Sequence, residues 1–142
     1  MMSPPAPSPD PAREISEAAI VRLVDAFYAK VRRDPVLAPV FERAIAEQGW
    51  PAHLRKMYDF WSSVTLTSGR YKGNPLAVHA ALSGIEPLMF ERWLALFGET
   101  AGEVFEPVLA AIFRLKARRI AESLQLGLFY RPVPRQVPAR EA

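Results

Sequence analysis

Proline placement constrains this chain more than any other feature of its sequence. Fourteen prolines in 142 residues would break up helices and strands if spread evenly, because each fixes φ and lacks a backbone donor. They are not spread evenly. Five fall within the first eleven residues (Pro4, Pro5, Pro7, Pro9, Pro11) and three within the last twelve (Pro132, Pro134, Pro138). The other six are Pro35, Pro39, Pro51, Pro75, Pro87 and Pro107, and each sits where a helix can begin or has just ended. At the first turn of a helix a proline costs little, since its missing N–H would have no partner there. The chain therefore divides into a Pro-rich tail over residues 1–14, an ordered unit over residues 15–130 and a second tail over residues 131–142. The tails read as disordered or polyproline-like. The unit between them, about 116 residues, is one domain with room for one core.

Within that unit the apolar residues repeat with helical spacing. Ser16 can cap a first helix whose apolar face is Ile20, Leu23, Val24, Phe27, Tyr28 and Val31, spaced three and four apart throughout. Asp34-Pro35 ends it. A turn-rich piece, Val36 to Gly49, follows, with Phe41 and Ile45 as anchors. Pro51 opens a second helix carrying Leu54, Met57, Tyr58, Trp61, Val64 and Thr65, which Ser68-Gly69 stops. Arg70–Asn74 is a loop. Pro75 opens a short third helix through Leu82, closed by Ser83-Gly84. Pro87 opens a fourth (Phe90, Trp93, Leu94, Phe97, Ala101, Val104, Phe105) and Pro107 a fifth (Val108, Leu109, Ile112, Phe113, Leu115, Ile120, Leu124, Leu128). No stretch alternates with a period of two. The expected fold class is all-α with short connections.

Composition removes several function classes. Without cysteine the chain forms no disulfide, thiolate zinc site or iron–sulfur cluster. No apolar run approaches a membrane span. The N-terminus lacks the apolar core of a secretory signal, so a cytoplasmic location is expected. The net charge of +3 is small, and the basic and acidic residues are interspersed, which speaks against nucleic acid. No glycine pattern matches a phosphate loop, and no serine sits in a nucleophile elbow.

The chain has two histidines, His53 and His79. A zinc site would need carboxylates beside them, and the nearest, Asp59 and Glu86, are not at helical i+3 or i+4 spacing from either. Two imidazoles do suit a metal already held by four other ligands, as in haem, with one group on each face. Large aromatics surround both: Phe27, Tyr28, Phe41, Phe60, Trp61, Trp93, Phe97 and Phe113. Tyr28 and Trp93 lie on apolar helix faces, and each carries a donor that needs a partner when buried. These residues fit two readings, an ordinary helical core with satisfied histidines or a haem pocket.

The same residues resemble the group III truncated haemoglobins over essentially the whole of residues 15–130. Phe27-Tyr28-Ala29-Lys30-Val31-Arg32 with Asp34 resembles the family's distal-tyrosine helix. Trp50-Pro51-Ala52-His53 with Phe60-Trp61 resembles its distal-histidine helix. Tyr71-Lys72-Gly73-Asn74-Pro75-Leu76 followed by His79 resembles the approach to the proximal histidine, and Phe90 to Phe97 resembles the helix bearing the distal tryptophan. The resemblance implies a two-over-two helical sandwich around haem b, with His79 as the iron ligand. It implies that Tyr28 and Trp93 donate hydrogen bonds to a bound diatomic gas (O2, NO or CO), with His53 as a distal gate or weak contact. Phe41 would pack on the haem face, Met57 and Trp61 would line the distal side, and Phe97 the deeper pocket. Tyr71, helped by Arg70 or Lys72, would meet a propionate. A donor-rich pocket implies O2 retention rather than transport, and so NO or peroxide chemistry of a dioxygenase or peroxidase kind. That chemistry would need an external reductase, because the chain has no room for a reductase domain. A monomer is expected. The alternative from another class is a cofactor-free helical interaction module.

Overall fold

The computed structural model describes residues 10–82 and 84–129. The expectations for residues 1–9, for Ser83 as a helix stop, for Tyr130 as the domain end and for the tail 131–142 lie outside the described residues.

Helix α1 runs from Glu17 to Val31. Ser16 caps it, its Oγ accepting from the Ala19 N–H at 3.1 Å, and Glu17 lies at the positive end of the helix dipole. All six apolar positions of the expected face are buried. The piece from Val36 to Gly49 is more ordered than its sequence indicates. It holds α2 (Ala38–Ala44) and a single 3-10 turn (Glu47–Gly49). Only Val40 of α2 is buried, so the element leaves no periodic signature. Pro39 in its first turn is the one trace in the sequence.

Helix α3 (Trp50–Leu66) ends one residue before the expected Ser68-Gly69 stop, on Thr67 in the left-handed conformation at φ 53°. Helix α4 (Pro75–Ala80) is six residues long. Asn74 caps it, its Oδ1 accepting from the Ala77 N–H at 3.1 Å. Helices α5 (Pro87–Val104) and α6 (Pro107–Phe129) are joined by Phe105-Glu106. Helix α1 packs on α3 and on α5, α5 packs on α6, and α4 lies on α6. Gly127 allows that last contact, since a Cβ there would come within 2.6 Å of the Leu76 Cδ1.

Two sequence expectations need correction. Val108, Ile112 and Leu115, read as part of the inner face of the last helix, are exposed. The inner face is Ala110, Phe113, Ala117, Ala121 and Leu124. Three alanines let α6 approach α5 closely, and closeness rather than bulk decides which stripe turns inward. Residues 10–14, read as the end of the N-terminal tail, are placed by the fold. The Ala12 N–H donates to the Val104 carbonyl at 2.7 Å, and the Ala12 carbonyl accepts from the Glu106 N–H at 3.0 Å. These are backbone groups left without intrahelical partners where α5 ends and α6 begins, and Ala12 and Ile15 pack on the core beside them.

Asp34 organises the turn between α1 and α2. Its Oδ2 accepts from the Val36 and Leu37 N–H groups at 3.1 and 3.0 Å. Its Oδ1 accepts from Arg92 of α5, at 2.7 Å from Nε and 2.6 Å from Nη2. Burial alone would raise the Asp34 pKa. The Arg92 bond and the two backbone donors outweigh it and hold the carboxyl below its ordinary 3.8. Asp34→Ala should therefore cost about 1–2 kcal/mol, the range for losing a capping carboxylate. Because the folded-state pKa is depressed, this contribution is complete above pH 3.8 and fades as the pH falls through the folded value. Urea denaturation of both proteins at pH 7 and at pH 3 checks this. The stability gap should narrow at pH 3, and an equal gap would contradict the assignment.

Candidate functional site

Tyr28 of α1, Phe41 of α2 and Trp50 and His53 of α3 form one aromatic cluster. The His53 ring stands 5.0 Å from Tyr28 at 87° and 5.5 Å from Trp50 at 88°. Phe41 lies 5.7 Å from Tyr28 and 6.4 Å from His53. Inside this cage the Nε2 of His53 is buried without a hydrogen-bond partner, the one side-chain polar atom in that condition among the described residues. Such an atom costs about 1–3 kcal/mol of desolvation, so a partner from outside the chain would relieve it. Burial, then the charge of Lys56, lowers the His53 pKa to about 4. His53 is therefore neutral at physiological pH. Burial pushes the Tyr28 phenol well above its ordinary 10, so its hydroxyl keeps its proton and remains a donor.

Phe27 connects this cage to a second group of rings. It touches Tyr28 at 5.0 Å, Trp93 at 5.8 Å and Phe97 at 5.4 Å, edge to face in each case. Trp93, Phe97 and Trp61 form a nearly parallel stack, with centroids 5.3 and 4.7 Å apart. Phe113 lies behind Trp61 at 5.8 Å. Met57 is half-buried against the same core.

His79 lies apart, on α4. Its Nδ1 is 2.6 Å from the Pro75 carbonyl. A carbonyl only accepts, so Nδ1 carries the hydrogen, and Nε2 is the nitrogen whose lone pair a metal can take. The ring is 6.5 Å from Phe90. Phe90 belongs to a smaller core with Ala121 and Leu124. Leu94 and Ile120 pack against both cores, so the two histidines stand beside adjoining apolar clusters. No group of three or more His, Asp or Glu side chains that could hold a bare metal ion gathers among the described residues.

Tyr71 sits in the loop before α4. Its N–H donates to the Ser63 Oγ at 2.9 Å, and its ring is perpendicular to Phe60 at 5.2 Å. Burial raises its pKa. Arg70, offered above as its helper, is engaged elsewhere. Its guanidinium bonds Glu17, the Ser62 Oγ at 3.0 Å and Asp59 at 3.5 Å, so it ties the loop to α1 and α3. The expected site residues thus fall into a cage (Tyr28, Phe41, His53), a stack (Trp61, Trp93, Phe97), a half-buried Met57, a loop tyrosine and His79 apart on α4. Sequence reasoning gave no role to Trp50, Phe27 or Phe90. Trp50 had a legible signal, since it lies one helical turn before His53.

No protein-family model matches the chain. Comparison with characterised proteins does find relatives. Group 3 truncated hemoglobin ctb of Campylobacter jejuni is 34% identical over 117 residues, which is 81% of this chain and 92% of that protein. The crystal structure of a group III truncated hemoglobin from Campylobacter jejuni superposes with a TM-score of 0.80 at 33% identity, covering 84% of this chain and 95% of the other. The chain belongs to the group 3 truncated haemoglobins.

Membership in this truncated haemoglobin family implies a haem cofactor, and two observations test whether the residues here fit one. The Nε2 of His53 is a buried polar atom that lacks a partner within the chain and that a polar guest would satisfy. The tied Nδ1 of His79 leaves the imidazole in the tautomer that binds a metal. Both fit. No helix among the described residues is long and apolar enough to cross a membrane. Phe97 is the ring most enclosed by the stack, at 1% exposure. Phe97→Ala should cost about 3–5 kcal/mol, read by chemical denaturation, and a loss below 1 kcal/mol would mean that the stack does not organise the core.

Proposed function

We propose that this truncated haemoglobin holds haem b through His79 and binds O2, NO or CO on the side of Tyr28, in NO or peroxide detoxification rather than O2 transport. The observation that carries the reading is the His79 to Pro75 hydrogen bond, which engages Nδ1 and leaves Nε2 as the ring nitrogen available to a metal. When bound, haem would supply a redox-active iron able to take a diatomic ligand.

The chain's own residues supply the rest. His79 is kept in one tautomer and one ring orientation by the Pro75 carbonyl, and that bond makes Nε2 a stronger donor of its lone pair. Tyr28 keeps its proton at every physiological pH and offers it as a hydrogen bond. The indole N–H of Trp93 is the second donor. Phe41, Met57, Trp61 and Phe97 exclude water, and in a dry pocket each donated hydrogen bond weighs more. His53, neutral, contributes a further polar atom on the distal side. Tyr71 and the exposed Lys72 are the groups nearest in sequence to α4 that can meet a carboxylate at the cofactor's edge. Two strong donors favour retention of a polar ligand, which suits a protein that consumes its ligand better than one that delivers it. Repeated turnover needs electrons from a separate reductase.

The deciding measurement is a UV–visible spectrum of the purified chain with one equivalent of haemin, first ferric, then reduced, then under CO. A sharp Soret band that moves at each step is expected. A broad band like that of free haemin would return the chain to the class of cofactor-free helical interaction modules. His79→Ala should lose haem on a desalting column, and undiminished retention with a normal CO spectrum would remove His79 as the ligand. Tyr28→Phe should speed O2 release from the reduced, loaded protein roughly tenfold, the worth of one well-placed donor. Stopped-flow displacement by CO reads the rate, and an unchanged rate would remove Tyr28 as a donor.

A further inference from the structure

Trp50 is the first residue of α3 and is 4% exposed. Its ring meets every member of the cage: His53 at 88°, Tyr28 at 63° and 5.8 Å, and Phe41 nearly parallel at 29° and 6.3 Å. The Arg32 guanidinium carbon lies over the same indole, 4.5 Å from the ring centroid, which is cation–π distance. Arg32 is itself held. Its Nη2 donates to both carboxylate oxygens of Glu47, at 3.0 and 2.8 Å. Glu47 stands in the 3-10 turn directly before α3. Contacts therefore run without a break from an exposed carboxylate, through a guanidinium and an indole, to a buried imidazole.

An imidazole with an unpartnered nitrogen in an apolar cage tends to turn toward water. Here Tyr28 and Trp50 stand at nearly 90° to the ring, at 5.0 and 5.5 Å, so rotation has to displace one of them from close packing. Tyr28 is fixed within α1, in the core. Trp50 sits at a helix end that has no side-chain cap, and the Arg32 to Glu47 pair supplies the restraint that the cap does not. We propose that Trp50, clamped by Arg32 and Glu47, is a positioning residue for His53, fixing the orientation of its ring and shielding it from water. What His53 then serves rests on the haem reading. The clamp itself does not.

The groups facing His53 are few. Tyr28 on α1 is neutral, α2 contributes the uncharged Phe41, Lys56 is on the same helix, and the 3-10 turn contributes Glu47, already paired with Arg32. With only two histidines in the chain, the His53 imidazole resonance is assignable by comparison with His53→Gln, and its pH titration in the full chain reads its solvation. The wild-type midpoint should lie near 4. Trp50→Leu changes no charge and should raise the midpoint by about one pH unit or more, toward the ordinary value near 6.5. Glu47→Gln is the sharper variant. Removing a carboxylate by itself lowers the pKa of a nearby histidine, whereas a released clamp lets water in and raises it. A rise is expected, smaller than that for Trp50→Leu.

Tyr58→Phe, which breaks an unrelated tie from α3 to Asp25 of α1, should leave the midpoint in place. If either clamp variant leaves the midpoint unmoved or lowered, or if Tyr58→Phe raises it equally, the proposal is overturned. Circular dichroism checks folding, and if Trp50→Leu does not fold, Glu47→Gln decides alone. The titration is run without haemin, and the Soret spectrum separately. A shifted midpoint in a chain that gives no Soret band would sink the haem reading and keep the clamp. A sharp Soret band with unmoved midpoints would do the reverse.

Discussion

The ring of Phe27 is the point on which the arrangement of this protein turns. It faces α5 from α1, is 2% exposed, and meets three other rings at once. One is Tyr28 on its own helix, and the other two are Trp93 and Phe97 on α5. Tyr28 and Trp93, the two donors of the proposed site, thus come from different helices and share one neighbour. Edge-to-face contacts between aromatic rings are directional as well as apolar, so the spacing of Tyr28 and Trp93 is set by the packing of Phe27 rather than by either residue alone. Asp34 secures the same crossing from outside. It ends the turn after α1 and grips Arg92, the neighbour of Trp93. The relative placement of Tyr28 and Trp93 is set by one helix crossing, locked by an apolar ring within and by the Asp34 to Arg92 ion pair beside it.

Much of this is legible in the sequence because prolines and periodicity point to the same boundaries. Pro51, Pro75, Pro87 and Pro107 each occupy the first or second position of a helix, and the six apolar residues of α1 are all buried. The signal fails where burial is slight or where small residues do the packing. Helix α2 buries one side chain, so no period announces it. In α6 the sequence shows large residues at positions 108, 112 and 115, and the structure instead turns a run of alanines inward, because close approach to α5 needs small side chains there. The tie of Ala12 to the end of α5 is a backbone matter, and a backbone bridge has no side-chain signature.

The site was legible to a different degree in its parts. Tyr28, His53 and Phe41 were given site roles by the resemblance, and they meet in one cage. Trp61 and Phe97 were read as lining residues and Trp93 as a donor, and the three form a stack whose parallel geometry no spacing rule contains. Arg70 shows the limit most clearly. From sequence it is a free cation near a binding loop. In three dimensions it is consumed by Glu17, Ser62 and Asp59, because the loop folds back against helices more than fifty positions earlier and about ten positions earlier in the chain. The shared surroundings of Trp50 and His53 were within reach of the sequence, but the clamp outside Trp50 needed the turn at Glu47.

Helix α4 is six residues long and buries none of them fully. A helix of that length cannot sustain itself, since the nucleus consumes most of what its few hydrogen bonds return. It is held by the Asn74 cap, by Leu76 against Gly127 and by the contact of His79 with Phe90. Any ligand that coordinates the free nitrogen of His79 only when these residues are in place adds its binding free energy to the ordering of the segment, by RT ln(1 + [L]/Kd). For such a ligand the order of α4 is governed by mass action. How firmly α4 is folded is a function of ligand concentration as well as of sequence, and loss of the ligand and loosening of this short helix are two descriptions of one equilibrium.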